Sequence, residues 1–288
     1  MKKRIKDLSF RLKIKKKYLL NLMSALDANE SDFYRNWDEP KTDEKGLPRV
    51  ENGIALTRPI NAPVNKLKFV QSKILNKVLY QIILPEYFFG GLKKKDAVLN
   101  TRYHQGNKYF FLTDLKDFYP SVHYTSVENA LRKEGFYPDV AKLITRLCTK
   151  EGAIPQGCPT SSFLASLVVY HSCSDLFSKY QNNGLTVSIY VDDITISSPY
   201  DFKIDTPKIL EDLRSRGLKI NFQKTHYCTF NPKVTGVQVK NNGISPMPHT
   251  FKRSVDLTRS EASRNGHFQR IKYIKRIAKL KKTHPNNV

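Results

Sequence analysis

The chain has 288 residues, with 49 Lys and Arg against 26 Asp and Glu, a formal net charge of +23 at pH 7. At 40% hydrophobic and 11% aromatic residues it is too apolar for general disorder, and long enough for one large domain or two to three small lobes around a sizeable core. No apolar run approaches the ~18 residues of a membrane span, and a field of this sign attracts polyanions, phosphate backbones first and a membrane surface as the alternative. The N-terminus has basic residues but no apolar region or cleavage site of a secretory signal. Cys148, Cys158, Cys173 and Cys228 lie far apart without zinc spacing. A reducing cytoplasm is the expected location.

Residues 3 to 37 read as helical, with Leu8, Leu12, Leu19, Leu20 and Met23 on an irregular apolar face. DEPKTDEKGLPRVENG (38–53) is polar and turn-rich, an exposed hairpin or loop. After the two prolines of RPINAP, helical periodicity resumes through Leu67, Val70, Ile74 and Val78. FFGGLKKKDA reads as a glycine-bearing loop, and Tyr109 to Thr113 as a buried strand. ENALRKEGF and PDVAKLITRLCTK predict two helices, and SFLASLVVYHSCSDLFSKY a core helix. Val187 and Ile189, then Ile194 and Ile196, alternate with polar neighbours, which predicts two strands with Asp192 and Asp193 where the hairpin turns. TPKILEDLRSRG reads as a helix with Gly217 as its C-terminal cap. LKINFQKTHYCTF and KVTGVQVK read as strands. The tail predicts a basic helix with Phe268, Ile271, Ile274 and Ile277 at near-helical spacing; eleven Lys and Arg lie between Phe251 and Lys282, against Asp256 and Glu261.

Against this basic background the acids stand out. Phosphoryl transfer to a 3′-hydroxyl calls for two divalent cations ~3.5–4 Å apart, and Mg²⁺ is held by one or two carboxylates plus substrate phosphates. Asp114 ends the strand YFFLT, and Asp192 and Asp193 sit on the hairpin. If that hairpin pairs with that strand, the three carboxylates meet at one edge of a sheet. An isolated Asp-Asp is ordinary turn chemistry; its surroundings decide.

YVDD in a hairpin, DLKDFYPS after a strand, IPQG before a helix and a later NFQKT occur in the order seen in reverse transcriptases, and from about Arg58 to Gly236 the chain resembles that family. The resemblance implies an α+β right-hand polymerase. Residues 1–99 would form the N-terminal helix and fingers, 100–236 a palm with a ferredoxin-like antiparallel sheet and interleaved fingers helices, and 237–288 a basic thumb. It implies Asp114 and Asp192 as the principal metal ligands, Asp193 as the secondary acid and the Leu115 backbone as a further ligand, for two Mg²⁺ with Mn²⁺ as a substitute. Asp117 would lie near the incoming triphosphate through its backbone, and Tyr119 would be the steric gate against a 2′-hydroxyl. Gln156 and Gly157 would support nucleotide and template, Lys224 the nucleotide phosphates, and Arg58 would clamp the triphosphate, a task that suits a bidentate guanidinium. The family's partner lysine stays open between Lys41, Lys45 and another residue.

The Tyr-X-Asp-Asp form points to RNA-templated DNA synthesis. NTRYH, Asn100 to His104, is similar to the Asn-Ala-x-x-His of bacterial retron enzymes, and Val234-Thr235-Gly236 matches their Val-Thr-Gly. Thr101 in place of alanine, and Val191 where alanine is usual, leave a neighbouring defence-associated class open. The retron resemblance implies RNA contacts at Asn100, His104, Val234, Thr235 and Gly236. It also implies phosphate contacts from Lys272, Arg276 and Lys279 while Ile271, Ile274 and Ile277 face the lobe. The implied function is copying part of a cognate noncoding RNA, primed from an RNA 2′-hydroxyl, into single-stranded DNA (msDNA) from dNTPs, in anti-phage defence with a separately encoded effector. On this length no RNase H, endonuclease or fused toxin is expected. The alternatives are another defence-associated or group II intron-like reverse transcriptase and, in a different class, a non-catalytic RNA-binding protein on a polymerase fold.

Overall fold

The computed structural model describes residues 4–43, 47–240 and 242–280. Helices α1 (Ile5–Leu12) and α2 (Lys16–Ala28) bury Leu8, Leu12, Leu19, Leu22 and Leu26. The helical reading ends early. A 3-10 turn at Glu30–Phe33 leads into strand β1 (Tyr34–Pro40). A short hairpin follows, β2 (Val50–Glu51) and β3 (Ile54–Ala55), and then β4 (Thr57–Pro63), antiparallel to β1. The prolines of RPINAP fit a strand because β1 and β4 form a two-stranded ribbon, where a missing donor costs no second ladder. Helix α3 (Asn65–Lys77) buries Leu67, Val70 and Ile74 as its periodicity predicts.

Helix α4 (Ala97–Tyr103) was not legible as periodicity, having seven residues; Asp96 starts it by accepting from the Val98 and Leu99 N–H groups at 2.7 and 2.9 Å. Strand β5 (Tyr109–Asp114), α5 (Phe118–Ser121), α6 (Tyr124–Lys133), α7 (Pro138–Cys148) and the long α8 (Ser161–Asn182) come next. Then follow β6 (Thr186–Tyr190), β7 (Asp193–Ser198), α9 (Thr206–Ser215) and β8 (His226–Cys228). Gly217, at φ +80°, follows α9 as the capping glycine expected there. The strand expected over LKINFQKTHYCTF is interrupted: Ile220 bridges Leu115 and His226–Cys228 pairs with β5, but Phe222–Lys224 between them is a 3-10 turn.

The central sheet has the order β6-β7-β5-β8 with antiparallel neighbours. With helices between β5 and β6 and between β7 and β8, this is the β-α-β-β-α-β ferredoxin-like succession. Alternation divides its residues between two covered faces. Phe111, Val187, Ile189, Ile194 and Ile196 join the main core with the helices. Phe110 packs with Val234 and Val239 on the opposite face. That face is closed by β9 (Lys233–Val234), β10 (Val237–Lys240) and β11 (Gly243–Pro246), a second antiparallel sheet, together with α4. Helices α10 (Pro248–Val255) and α11 (Glu261–Lys279) end the described chain. Ile274 and Ile277 of α11 pack with Val98, Val237 and Ile244, and Ile271 is also buried. Phe268, expected on the same apolar face, is instead 47% exposed with the Lys272 ammonium 4.4 Å above its ring. No helix among the described residues is long and apolar enough to cross a membrane.

Candidate active site

The hairpin does pair with the strand ending at Asp114. Strand β7 lies between β5 and β6, in a register that sets Asp114 opposite Asp193 and Tyr190 opposite Asp193. The turn is therefore Val191-Asp192, one residue earlier than the two aspartates suggested, and Asp193 is already the first residue of β7. Val191 takes a left-handed backbone (φ +59°), the conformation that two-residue hairpin turns demand and that a β-branched residue resists. The Leu115 N–H donates to the Asp192 carbonyl at 2.9 Å, which fixes the turn to the end of β5.

Asp114 is 5% exposed. Its carboxylate accepts from the Asn221 amide at 3.0 Å and from the Lys224 ammonium at 2.7 Å, while the Asn221 N–H donates to its carbonyl at 2.8 Å. Lys224 thus sits on the acid rather than clear of it. Asn221 opens the NFQKT motif, but no role was expected of it, since a polar residue in an expected strand gives no signal of its partner.

Burial raises the Asp192 carboxyl above its ordinary range, and the Asp114 charge adds to this. Burial, then Asp192 and Asp114, push Asp193 up to about 7. Between about 4, where a carboxyl titrates in an unfolded chain, and 7, the folded protein keeps a proton that the unfolded chain has lost. Stability of the metal-free protein should therefore fall as pH rises through that window. Asp193→Asn should flatten the fall in chelator-treated thermal melts, and an unchanged slope would disprove the raised Asp193 carboxyl.

Among the described residues, no group of three or more His, Cys, Asp or Glu is gathered as a metal centre. The donors nevertheless fit a hard divalent cation. They are carboxylate oxygens of like charge, two of the three raised by burial first and by their neighbours' charge second, and a cation relieves that repulsion.

Around the acids, Asp117 is exposed with a left-handed backbone (φ +49°) and starts α5, its carbonyl accepting the Ser121 N–H at 2.9 Å. Tyr119 is half-buried, and its hydroxyl meets the Ser162 hydroxyl at 2.8 Å. The IPQG loop docks on β4: the Asn61 N–H donates to the Gln156 carbonyl at 2.7 Å, and the Lys150 ammonium to Asn61 Oδ1 at 2.9 Å. Gly157 (φ +108°) faces Ile60 so closely that a Cβ would lie 2.9 Å from its Cγ2. Alternation puts Arg58 on the Ile60 face of β4, half-buried, with Glu39 3.7 Å away. Lys41 is half-buried and donates its N–H to the Leu56 carbonyl at 2.8 Å; Lys45 lies outside the described residues.

The two motifs expected to contact RNA bind each other instead. Asn100 is 1% exposed and donates to Thr235 Oγ1 at 3.3 Å, Thr101 Oγ1 donates to the Val234 carbonyl at 2.7 Å, and Thr235 Oγ1 donates to the Ala97 carbonyl at 2.9 Å. Val234 is fully buried, and Thr235 and Gly236, both at positive φ, make the two-residue turn between β9 and β10. His104 is fully buried, its ring nitrogens 2.6 Å from Ser197 Oγ and 2.7 Å from Ser188 Oγ. Direct RNA contact by Asn100, His104 and Val234 is thereby corrected: buried side chains already hydrogen-bonded or packed cannot present themselves to a ligand. They join α4, the central sheet and the second sheet. Lys272, Arg276 and Lys279 are exposed on α11, as expected of the polar side of that helix.

The sequence pattern of the family described as reverse transcriptase (RNA-dependent DNA polymerase) matches residues 42–252, and the chain belongs to that family. Its similarity runs to the retron members. The retron Se72 reverse transcriptase of Salmonella heidelberg is 32% identical over 212 residues, 69% of this chain and 55% of its own length. The retron Ec48 and Ec86 reverse transcriptases of Escherichia coli are each 28% identical, over 68% and 65% of this chain and 52% and 60% of their own lengths. The retron-type resemblance carried by the motifs is borne out, and the chain spans little more than half the length of these relatives.

Proposed function

We propose that the chain is the RNA-directed DNA polymerase of a retron. The observation that carries this reading is the register placing Asp114 opposite Asp193, with Asp192 in the adjoining turn. Residues 1–99 would act as fingers, 100–236 as palm and 237–288 as thumb. Asp114 and Asp192, with Asp193 and the Leu115 backbone beside them, would hold two Mg²⁺, which when bound supply activation of the attacking hydroxyl and stabilisation of the leaving oxygen. Lys224 would release Asp114 to meet nucleotide phosphate. Arg58 and the Asp117 backbone would hold the triphosphate, Gln156 and Gly157 would seat the base pair, and Tyr119 would exclude a 2′-hydroxyl.

The substrate would be a folded noncoding RNA, primed from one of its own 2′-hydroxyls and copied from dNTPs into msDNA, in the cytoplasm, as part of anti-phage defence with a separate effector. The non-catalytic alternative has nothing in its favour while all three acids stand together. Extension of a primer on an RNA template with dNTPs and Mg²⁺ tests the activity. DNA product is expected, and its absence with a cognate RNA supplied would overturn the reading.

The charge of +23 makes affinity for RNA depend on salt. Lys272→Ala should weaken RNA binding whatever the sequence and lower the slope of log affinity against log salt by about 1. A slope unchanged in filter-binding titrations would remove Lys272 from the phosphate contacts.

A further inference from the structure

The segment 87–91 runs beside β6. The Phe89 N–H donates to the Ile189 carbonyl and the Ile189 N–H to the Tyr87 carbonyl, each at 2.8 Å, and Phe88 bridges Ile189 in parallel. Its two glycines then press on different parts of the site. A Cβ on Gly90 would lie 2.3 Å from the Val191 nitrogen, in the turn that carries Asp192. A Cβ on Gly91 (φ +73°) would lie 2.5 Å from the Ser162 Cβ and 3.2 Å from its carbonyl carbon. Ser162 is the second residue of α8, and its hydroxyl meets that of Tyr119 at 2.8 Å. Bare backbone therefore spaces the Asp192 turn from the residue that anchors Tyr119. A tyrosine anchored only at its Cα can swing about its side-chain torsions; one held at the hydroxyl as well cannot turn without breaking that bond.

We infer that Ser162 is a positioning residue for sugar selection: with Gly91 packed against it, it holds the Tyr119 hydroxyl and so fixes the ring against the sugar of the incoming nucleotide. This rests on the gate role proposed for Tyr119. Tyr119→Phe and Ser162→Ala each delete one half of the same bond and leave the ring present.

The test measures kcat/KM for a dNTP and for its matching rNTP with the full chain and a cognate RNA template. Ser162→Ala and Tyr119→Phe should each lower the preference for the deoxy sugar about fivefold, the scale of one hydrogen bond, through a better rNTP KM. The double variant should lose no more than either single one, and Tyr119→Ala should lose more than any of them. If Tyr119→Ala alone lowers the preference, the Ser162 inference is overturned and the gate stands. Additive losses in the double variant would also overturn it, since two changes to one bond cannot add. If Tyr119→Ala leaves the preference intact, the gate reading itself fails.

Discussion

Asp192→Asn is expected to lower nucleotide incorporation about a thousandfold while RNA affinity stays unchanged. Asp192 lies in the two-residue turn beside Asp114, buried enough that its carboxyl is raised. An amide keeps the shape and removes the charge. Losing a charged ligand from a two-cation site costs several kcal/mol of transition-state stabilisation, and about 4 kcal/mol corresponds to three decades at 1.36 kcal/mol each. The turn should survive, because Val191 sets its backbone and the Asp192 carbonyl keeps the Leu115 N–H. Removing one of three mutually repelling acids should also leave the melting temperature of the metal-free protein no lower. Single-turnover incorporation read beside a melt checks both, and incorporation within tenfold of the parent would remove Asp192 from the ligand set.

Gly90→Ala is expected to cost at least about a hundredfold in incorporation with the fold retained. The Gly90 backbone lies outside the left-handed region, so alanine itself meets no backbone objection. The conflict lies across the gap, where the new Cβ would fall 2.3 Å from the Val191 nitrogen, 2.5 Å from its Cγ2 and 3.0 Å from the Tyr190 carbonyl carbon. Those are main-chain and β-branched atoms, and β6 is pinned to the same segment through Ile189. The turn must shift by about 1 Å, a displacement that can cost a hundredfold in rate. Circular dichroism with single-nucleotide kinetics separates this from unfolding. A folded variant with parental kcat would show that the turn yields without moving Asp192.

The half of the fold that carries the three acids was legible because its signals are local. Val187, Ile189, Ile194 and Ile196 alternate, and the acids fall at strand ends, so the hairpin and its pairing with β5 could be read directly. The turn itself was displaced by one residue: side-chain chemistry favours aspartate at a turn, whereas the ladder left Val191 there. The polar partners of that alternation, Ser188 and Ser197, are buried against His104. Nothing local announces such a partner 84 and 93 residues away in the chain. A separation of 135 residues likewise hid the docking of Asn100 on Thr235, so motifs that suggested a ligand turned out to hold each other. Strand β4 was hidden for another reason: prolines argue against a sheet interior, and only the two-stranded ribbon with β1 makes them acceptable. Gly90 and Ser162 carry no motif, and their importance lies in what other segments bring against them.

The most direct test of the retron reading is to sequence, before and after RNase and debranching treatment, the nucleic acid that copurifies with the chain expressed with its flanking DNA. A retron enzyme predicts a discrete DNA that shifts in size on both treatments and is absent with Asp192→Asn. DNA carrying no branched RNA would contradict the retron assignment, and RNA alone with parent and variant alike would contradict the polymerase.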